Sequence, residues 1–388
     1  MKKVLLAFFA LTLVAGALVP AQAGPTPGGI TSDGVEYVNF VPFDQATSTG
    51  ATIVGKYMYL TSWKNLSIYD ISDPEAPART GFAEWGTGKP GDSPFEFENE
   101  QVATNGKILL MSESLPNNIL HIWDVEDKTN PVEIATLDGA GDHTASCILD
   151  CRWSVGSDGT LVDLKDPAKP VVQKKSWHDS VGIKQGAHDV WEYKPGFILV
   201  STLEEPFMAV DMRNPLKPKV LGYGVNPRPR SQGGFLFHSG LWPNGGKDNF
   251  VLMQGEDNAN PRCDKTANGP FMTFDARTVN KDHTFRLIDR YALDNGTFTD
   301  GKPPVNGLGC SAHWFTTQPS YSNGGIVAVA WYEHGTRFLN VTDSGKIEEK
   351  GWFLPYGGST SAAYFVNKEI VYAVDYTRGI DILRWVGK

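Results

Sequence analysis

The chain has 388 residues, with 35 basic and 44 acidic side chains and a net charge of −9 at pH 7. That balance leaves no basic stripe to neutralise phosphates, so nucleic acid is excluded as a partner. Length alone would allow roughly two or three domains, and only an internal repeat can overrule that expectation.

The first residues predict export. Lys2 and Lys3 give a basic start, and Val4 to Val19 is an apolar run too short to span a membrane comfortably. Pro20 breaks the run, and Ala21-Gln22-Ala23 before Gly24 forms a small-x-small cleavage site. Residues 1–23 are therefore expected to be a secretory signal peptide, and 24–388 one secreted, extracellular domain. No Cys follows the cleavage point, and no second apolar stretch reaches spanning length, so neither a lipid anchor nor a membrane span is expected. With Lys2 and Lys3 removed, the 35 basic residues become 33 against 44 acidic, and the net charge moves from −9 to −11.

From residue 35 onward one pattern recurs: an apolar strand ends in Asp, and a polar turn with proline follows. Asn65–Asp70 before Pro74 and Pro77 is the clearest copy, followed by Ile119–Asp124 before Pro131 and Gly159–Asp163 before Pro167 and Pro170. Phe207–Asp211 runs on to Pro215 and Pro218, and Phe271–Asp275 lacks the prolines. Arg337–Asn340 and Gly379–Arg384 are degenerate sixth and seventh copies. The Asp is expected to cap the backbone of its turn, with Pro setting φ just beyond. Upstream of each copy lies a short apolar run such as Tyr57–Leu60, Phe197–Val200 or Ile370–Val374, as expected of strands buried between stacked sheets. Downstream lies a more polar, alternating strand such as Val132–Leu137, fit for an outer edge. No segment keeps a helical period.

Four strands per unit predict an all-β fold, a β-propeller of seven blades. The seventh unit ends at Lys388 without an outer strand, and Val35–Val41 is an orphan strand before the first unit. Pairing the two would close the ring through an N-terminal outer strand and leave no open seam. The four cysteines are expected as disulfides in an exported chain. Cys147 and Cys151 flank a turn-length Ile148–Asp150 and can clasp one hairpin; Cys263 and Cys310 are left to staple the longest insertion. A zinc site made of all four thiolates is the rival reading.

The apolar-x-apolar-Asp-x-x-Asp-Pro copies resemble the LVIVD-repeat propellers of bacteria and archaea over nearly all of residues 34–388. His143 to Cys147 with Cys151 to Trp153, and Gly309 to Trp314, are similar to stretches of exported actinobacterial members. The resemblance implies a propeller and export and brings no defined activity.

Candidate chemistry lies in histidines that share one register. His143, His188, His238 and His313 each stand at the start of a unit's first strand, with Glu100 at that position in the second unit and Ser361 and Thr49 in the seventh and first. First strands line a propeller's channel, so these side chains would ring one mouth. The turns expected beside them carry Glu113, Glu204, Glu205, Glu256, Asp257, Glu333, His334 and Asp375. Such a pocket can hold a divalent ion, zinc or copper, with His188, His238 and His313 as ligands and His143 or Glu333 completing the site. The plainer account is that these are polar residues bonding neighbouring blades, copied with the repeat. His178 is expected near the upper surface, and His121 and His283 as solvated.

No Gly-x-Ser-x-Gly elbow, Walker loop or His-Glu-x-x-His occurs, and Asp257 to Asn260 lacks EF-hand spacing. Trp314, Trp331 and Tyr332 could line the mouth and meet a sugar or an aromatic compound. Two function classes follow. One is a monomeric exported scaffold that binds a protein, a glycan or a small-molecule ligand on its face; the other is a metal-dependent extracellular enzyme, an oxidase or hydrolase.

Overall fold

Each of the five clear repeat aspartates holds its own turn. Asp70, Asp124, Asp163, Asp211 and Asp275 accept hydrogen bonds from the backbone N–H two residues on, at 2.8, 2.9, 2.8, 3.1 and 2.9 Å. Asp375 does the same for Thr377 at 2.8 Å. These are the Asx-turns that the repeat predicts, with the carboxylate standing in for a backbone acceptor.

The computed structural model describes residues 28–42, 48–62, 64–84, 102–114, 117–257, 269–293 and 308–387. The expected signal peptide, Glu100 and Cys263 lie outside them. The regular secondary structure of the described chain is nearly all strand, and its helices are single turns such as His178–Val181. No described helix is long and apolar enough to cross a membrane.

Strands pair with their neighbours in chain order. Ser48–Val54, Tyr57–Ser62, Asn65–Asp70 and Ala78–Glu84 make one antiparallel sheet. The next two run from Ala103–Thr104 to Val132–Asp138 and from Ala145–Ile148 to Val171–Val172. Eight strands then form one sheet. Its halves, Ala187–Lys194 to Lys219–Gly224 and Leu236–Leu241 to Thr284–Tyr291, join by a short parallel pairing of Tyr223 with Thr284 and Gly224 with Phe285. The last two sheets begin at Phe315–Thr317 and Thr360–Phe365.

The N-terminal segment completes both of these last sheets. Val35–Pro42 pairs antiparallel with Gly379–Trp385, the closure that the orphan strand predicts. Unforeseen is Gly29–Thr31, which adds a fifth strand beside Ile347–Pro355. Between the two, Gly34 turns with φ of 82°, and its carbonyl accepts from the N–H groups of Val386 and Gly387 at 2.9 and 3.1 Å. A Cβ there would meet the Gly387 backbone at 3.2 Å, so both the dihedral and the space call for glycine.

The core fills the gaps between sheets. Phe207, Phe237, Phe274 and Phe285 pack edge-on and stacked between the halves of the eight-stranded sheet, with Phe207 centroids 4.9–5.3 Å from the other three. Met58, Tyr69, Tyr372, Ile380 and Ile382 join the first sheet to the last. Cys147 and Cys151 are disulfide-bonded across a turn whose Leu149, Asp150 and Cys151 all have φ between 52° and 57°. Three successive non-glycine residues in the left-handed region are disfavoured. Here Glu192 accepts from the Leu149 N–H at 2.8 Å and Asn105 donates to the Asp150 carboxylate at 3.0 Å. Cys310 is buried and disulfide-bonded.

The closing strand rests on a buried ion cluster. Arg378 donates to the Asp381 carboxylate at 2.7 Å and Tyr37 donates to the same oxygen at 3.1 Å. Burial nonetheless pushes the Asp381 carboxyl up to about 7. A carboxyl raised on folding binds its proton more tightly in the native state. Its stabilising contribution is complete below about pH 4 and is lost as pH rises to about 7. His178, buried against the Trp177 indole, is held down to about 4, so its contribution is complete above about 6.5 and is lost toward pH 4. The two trends oppose each other. Asp381→Asn removes a loss on the order of a few kcal/mol between pH 4 and 7, so it should leave a profile that climbs over this range where the parent's is nearly level. Melting temperatures of the two proteins at half-unit pH steps check it; parallel profiles refute it.

A histidine-lined candidate metal site

The shared register of the histidines has a structural cause. In Ala187–Lys194 the pairing steps from Ala187↔Thr202 to Asp189↔Ser201, leaving His188 as the extra residue of a β-bulge. His238 is likewise skipped between Phe237↔Gly255 and Ser239↔Gln254. Thr49 and Ser361 are skipped in the first and last sheets. A bulge re-aims one side chain without breaking the sheet, and here it recurs at the same point of four first strands. His143 and His313 stand just ahead of theirs, Ala145–Ile148 and Phe315–Thr317.

Neighbouring first strands lie side by side. Thr144 donates to the His188 carbonyl, Ser146 to the Val190 carbonyl at 2.6 Å, and Ser361 to the Thr49 carbonyl at 2.6 Å. The four imidazoles consequently form a continuous row. His143 Nε2 lies 3.0 Å from His188 Nε2; the His188 and His238 rings are 3.9 Å apart and those of His238 and His313 4.1 Å. Two nitrogens at 3.0 Å cannot both present a proton, so one of His143 and His188 offers a lone pair. His313 Nδ1 lies 2.5 Å from the Ser361 carbonyl. A carbonyl only accepts, so that nitrogen carries the proton and the lone pair is at Nε2. The blade-bonding role and a ligand role are thus compatible in one side chain.

The carboxylate that joins the row is Glu256. Ligand atoms of His188, His238 and Glu256, all buried, lie within 4.8 Å of one another. Two donors on one zinc ion cannot stand more than roughly 4.2 Å apart, so small side-chain rotations would bring all three onto a common ion. Two imidazoles and one carboxylate suit zinc, or an iron or copper ion with positions left open. Tyr332 donates to Glu256 Oε1, holding the carboxylate from the adjacent sheet, and its ring lies 4.7 Å from that of His313, tilted by 34°. Tyr332 itself has φ of 36°, a conformation that a bulky residue adopts only under local constraint. Arg230 stands 4.0 Å from Glu256 Oε2 at the rim.

The other expected residues are placed as follows. Glu333 turns to the chain, accepting from the Leu308 and Gly309 N–H groups at 2.9 and 2.5 Å, and burial raises its carboxyl above the ordinary range. His143 and His313 flank the three-residue group as its ring neighbours. Glu205 caps the Lys184 and Gln185 N–H groups, both at 2.9 Å. Glu113 meets His121 at 3.2 Å, and His121 is wedged between Glu113 and Glu133 rather than solvated. His283 is exposed, with Nδ1 2.9 Å from the Leu221 carbonyl. Glu256 and His238 belong to one hairpin, with Leu236 opposite Glu256. That adjacency was the signal in the sequence favouring Glu256 over Glu333, which lies one repeat further on.

No protein-family model matches the chain, and no curated protein sequence does. Solved structures do share the fold. A chain described as the Myceliophteria thermophila Cps50 (Swd1) β-propeller domain superposes with a TM-score of 0.58 at 11% identity, over 89% of this chain and 99% of that one. A chain of a mitotic checkpoint complex superposes with a TM-score of 0.54 at 11% identity, over 99% of both. At that identity the likeness establishes a β-propeller and nothing about activity.

Proposed function

We propose that this protein is an exported β-propeller that acts as a binding scaffold and carries a divalent transition ion, zinc or copper, at the channel mouth. The observation that carries the reading is the convergence of His188, His238 and Glu256, three buried donors from the eight-stranded sheet. The scaffold half draws on fold likeness to propellers solved within larger assemblies, an argument by analogy. We count seven blades, taking the eight-stranded sheet as two units because its halves meet through only two residue pairs. The basic start, apolar run and Ala-x-Ala site support export, and the Asp-Pro turns support the LVIVD-type repeat.

One observation favours a second reading, a metal-dependent extracellular enzyme. Three protein ligands leave a coordination position open, as catalytic zinc sites do.

The test is metal content and melting of the purified mature protein. Bound zinc or copper near one per chain is expected. So is a chelator-sensitive rise in melting temperature on adding the ion, worth about 2.7 kcal/mol at a hundredfold excess over Kd. A metal-free protein that gains nothing from either ion would leave the histidines as blade-to-blade contacts.

A further inference from the structure

Cys147 lies in the strand Ala145–Ile148, and its disulfide to Cys151 closes over Ile148, Leu149 and Asp150. Leu149, Asp150 and Cys151 have φ of 53°, 57° and 52°, so the chain makes a left-handed turn without a glycine. The corresponding turns of other units use Gly55, Gly106, Gly196 and Gly245, with φ of 61°, 85°, 73° and 65°. Glycine adopts this region without strain, whereas a bulky residue such as Leu149 is an outlier there. The third sheet thus holds with a covalent bond what its neighbours hold with a glycine.

The turn is also tied to the sheets on either side. Glu192 Oε1, from the following sheet, accepts from the Leu149 N–H at 2.8 Å and from the Gly196 N–H at 2.6 Å. Asn105, from the preceding sheet, donates to the Asp150 carbonyl at 3.1 Å and to its carboxylate at 3.0 Å. A loop this short gives a disulfide little chain-entropy advantage, and the strain of successive left-handed residues works against it. Opening the bond lets the turn relax, and strained disulfides are the more readily reduced ones. The cysteines differ in access: Cys147 is half-buried and Cys151 is 4% exposed, whereas the disulfide-bonded Cys310 is fully buried.

We propose that the Cys147–Cys151 disulfide is an exchangeable redox site, opened by a dithiol and closed again by a disulfide oxidant. Opening it unties the turn from both neighbouring sheets. One thiolate of the dithiol attacks the Cys147 sulfur, and the S–S electron pair leaves on Cys151, which takes up a proton. The second thiol then loses its proton and attacks the reductant's own sulfur in the mixed disulfide, and Cys147 leaves as the thiol. Two electrons and two protons pass to the protein, and the reductant departs as its disulfide. This site is independent of the metal reading.

The folded mature protein, equilibrated across ratios of reduced to oxidised dithiothreitol, alkylated and mapped by mass spectrometry, tests it. Cys147 and Cys151 should be labelled at ratios at least about 10-fold lower than Cys310, and be protected again on return to oxidised dithiothreitol. Hydrogen exchange at the Leu149 amide should quicken about 10-fold or more on reduction, as its bond to Glu192 opens. Leu149→Gly relieves the strain and should raise the ratio needed for opening roughly 3-fold or more. If that variant does not fold, Leu149→Asn, which tolerates the left-handed region, should shift the ratio in the same direction. Labelling of Cys147 and Cys151 only together with Cys310, or labelling that oxidised dithiothreitol does not reverse, overturns the proposal. So does a Leu149 amide that exchanges alike in both forms, or a variant that opens at the parent's ratio.

Discussion

A mature chain shortened to begin at Ala46 should aggregate, or melt roughly 10 °C or more below the parent. The deletion removes Val35–Pro42 from the edge of the last sheet and Gly29–Thr31 from the sheet before it. Val35 is buried at 4% exposure, and Tyr37 packs on Phe353 at 5.7 Å. Side chains of this size contribute about 1.5–3 kcal/mol each when fully buried. Ladder hydrogen bonds to Gly379–Trp385 are lost as well, and so are the tie from Ser32 to Trp352 at 2.8 Å and the Tyr37 contact with Asp381. Several kcal/mol is a large part of the 5–15 kcal/mol typical of a native protein. The exposed edge of Gly379–Trp385 would then recruit other strands. Thermal melting and size-exclusion chromatography check this together. A truncated protein that melts with the parent and stays monodisperse would show that the N-terminal segment is not what closes the ring.

Removing a donor from the candidate metal site should abolish metal-dependent stabilisation while leaving the fold intact. His188→Ala, His238→Ala and Glu256→Gln each take away one of three protein donors. Loss of an outer-shell partner alone typically costs 10–100-fold in metal affinity, so loss of a donor should cost more than about 100-fold. Tyr332→Phe removes the hydroxyl that holds Glu256 Oε1, and it should fall in the 10–100-fold range. Glu333→Gln is the control, because its carboxylate serves the Leu308 and Gly309 amides. It should cost stability and leave zinc affinity unchanged. Zinc titration followed by competition with a chelator ranks the five variants. Equal affinities for Glu256→Gln and Glu333→Gln would refute the ligand set.

Repeating, local features are legible in the sequence alone. The five Asx-turn aspartates announce themselves because the capping carboxylate and its backbone partner are two residues apart. Val35–Val41 was readable as a closing strand because the last repeat lacks one. The histidine register was readable because repeats place equivalent residues at equivalent heights, and the row of four follows from that. Gly29–Thr31, by contrast, is three residues without alternation, and its pairing with Phe353–Pro355 joins positions more than three hundred residues apart. The solvated environment expected of His121 overlooked Glu113 and Glu133, which reach it from the two neighbouring strands of its own sheet.

What the sequence determined by itself was strand order, the turn chemistry and the height of each side chain along its strand, since all of these follow from period and local hydrogen bonding. What only the tertiary structure decided was which side chains converge. Bulges at His188 and His238 re-aim two imidazoles, the Tyr332 hydroxyl from the next sheet fixes Glu256, and two backbone amides draw Glu333 away. Convergence depends on how sheets twist and lean against one another, and that is set by packing among residues far apart in the chain. A one-dimensional pattern therefore names the candidates, and the curvature of the sheets selects among them.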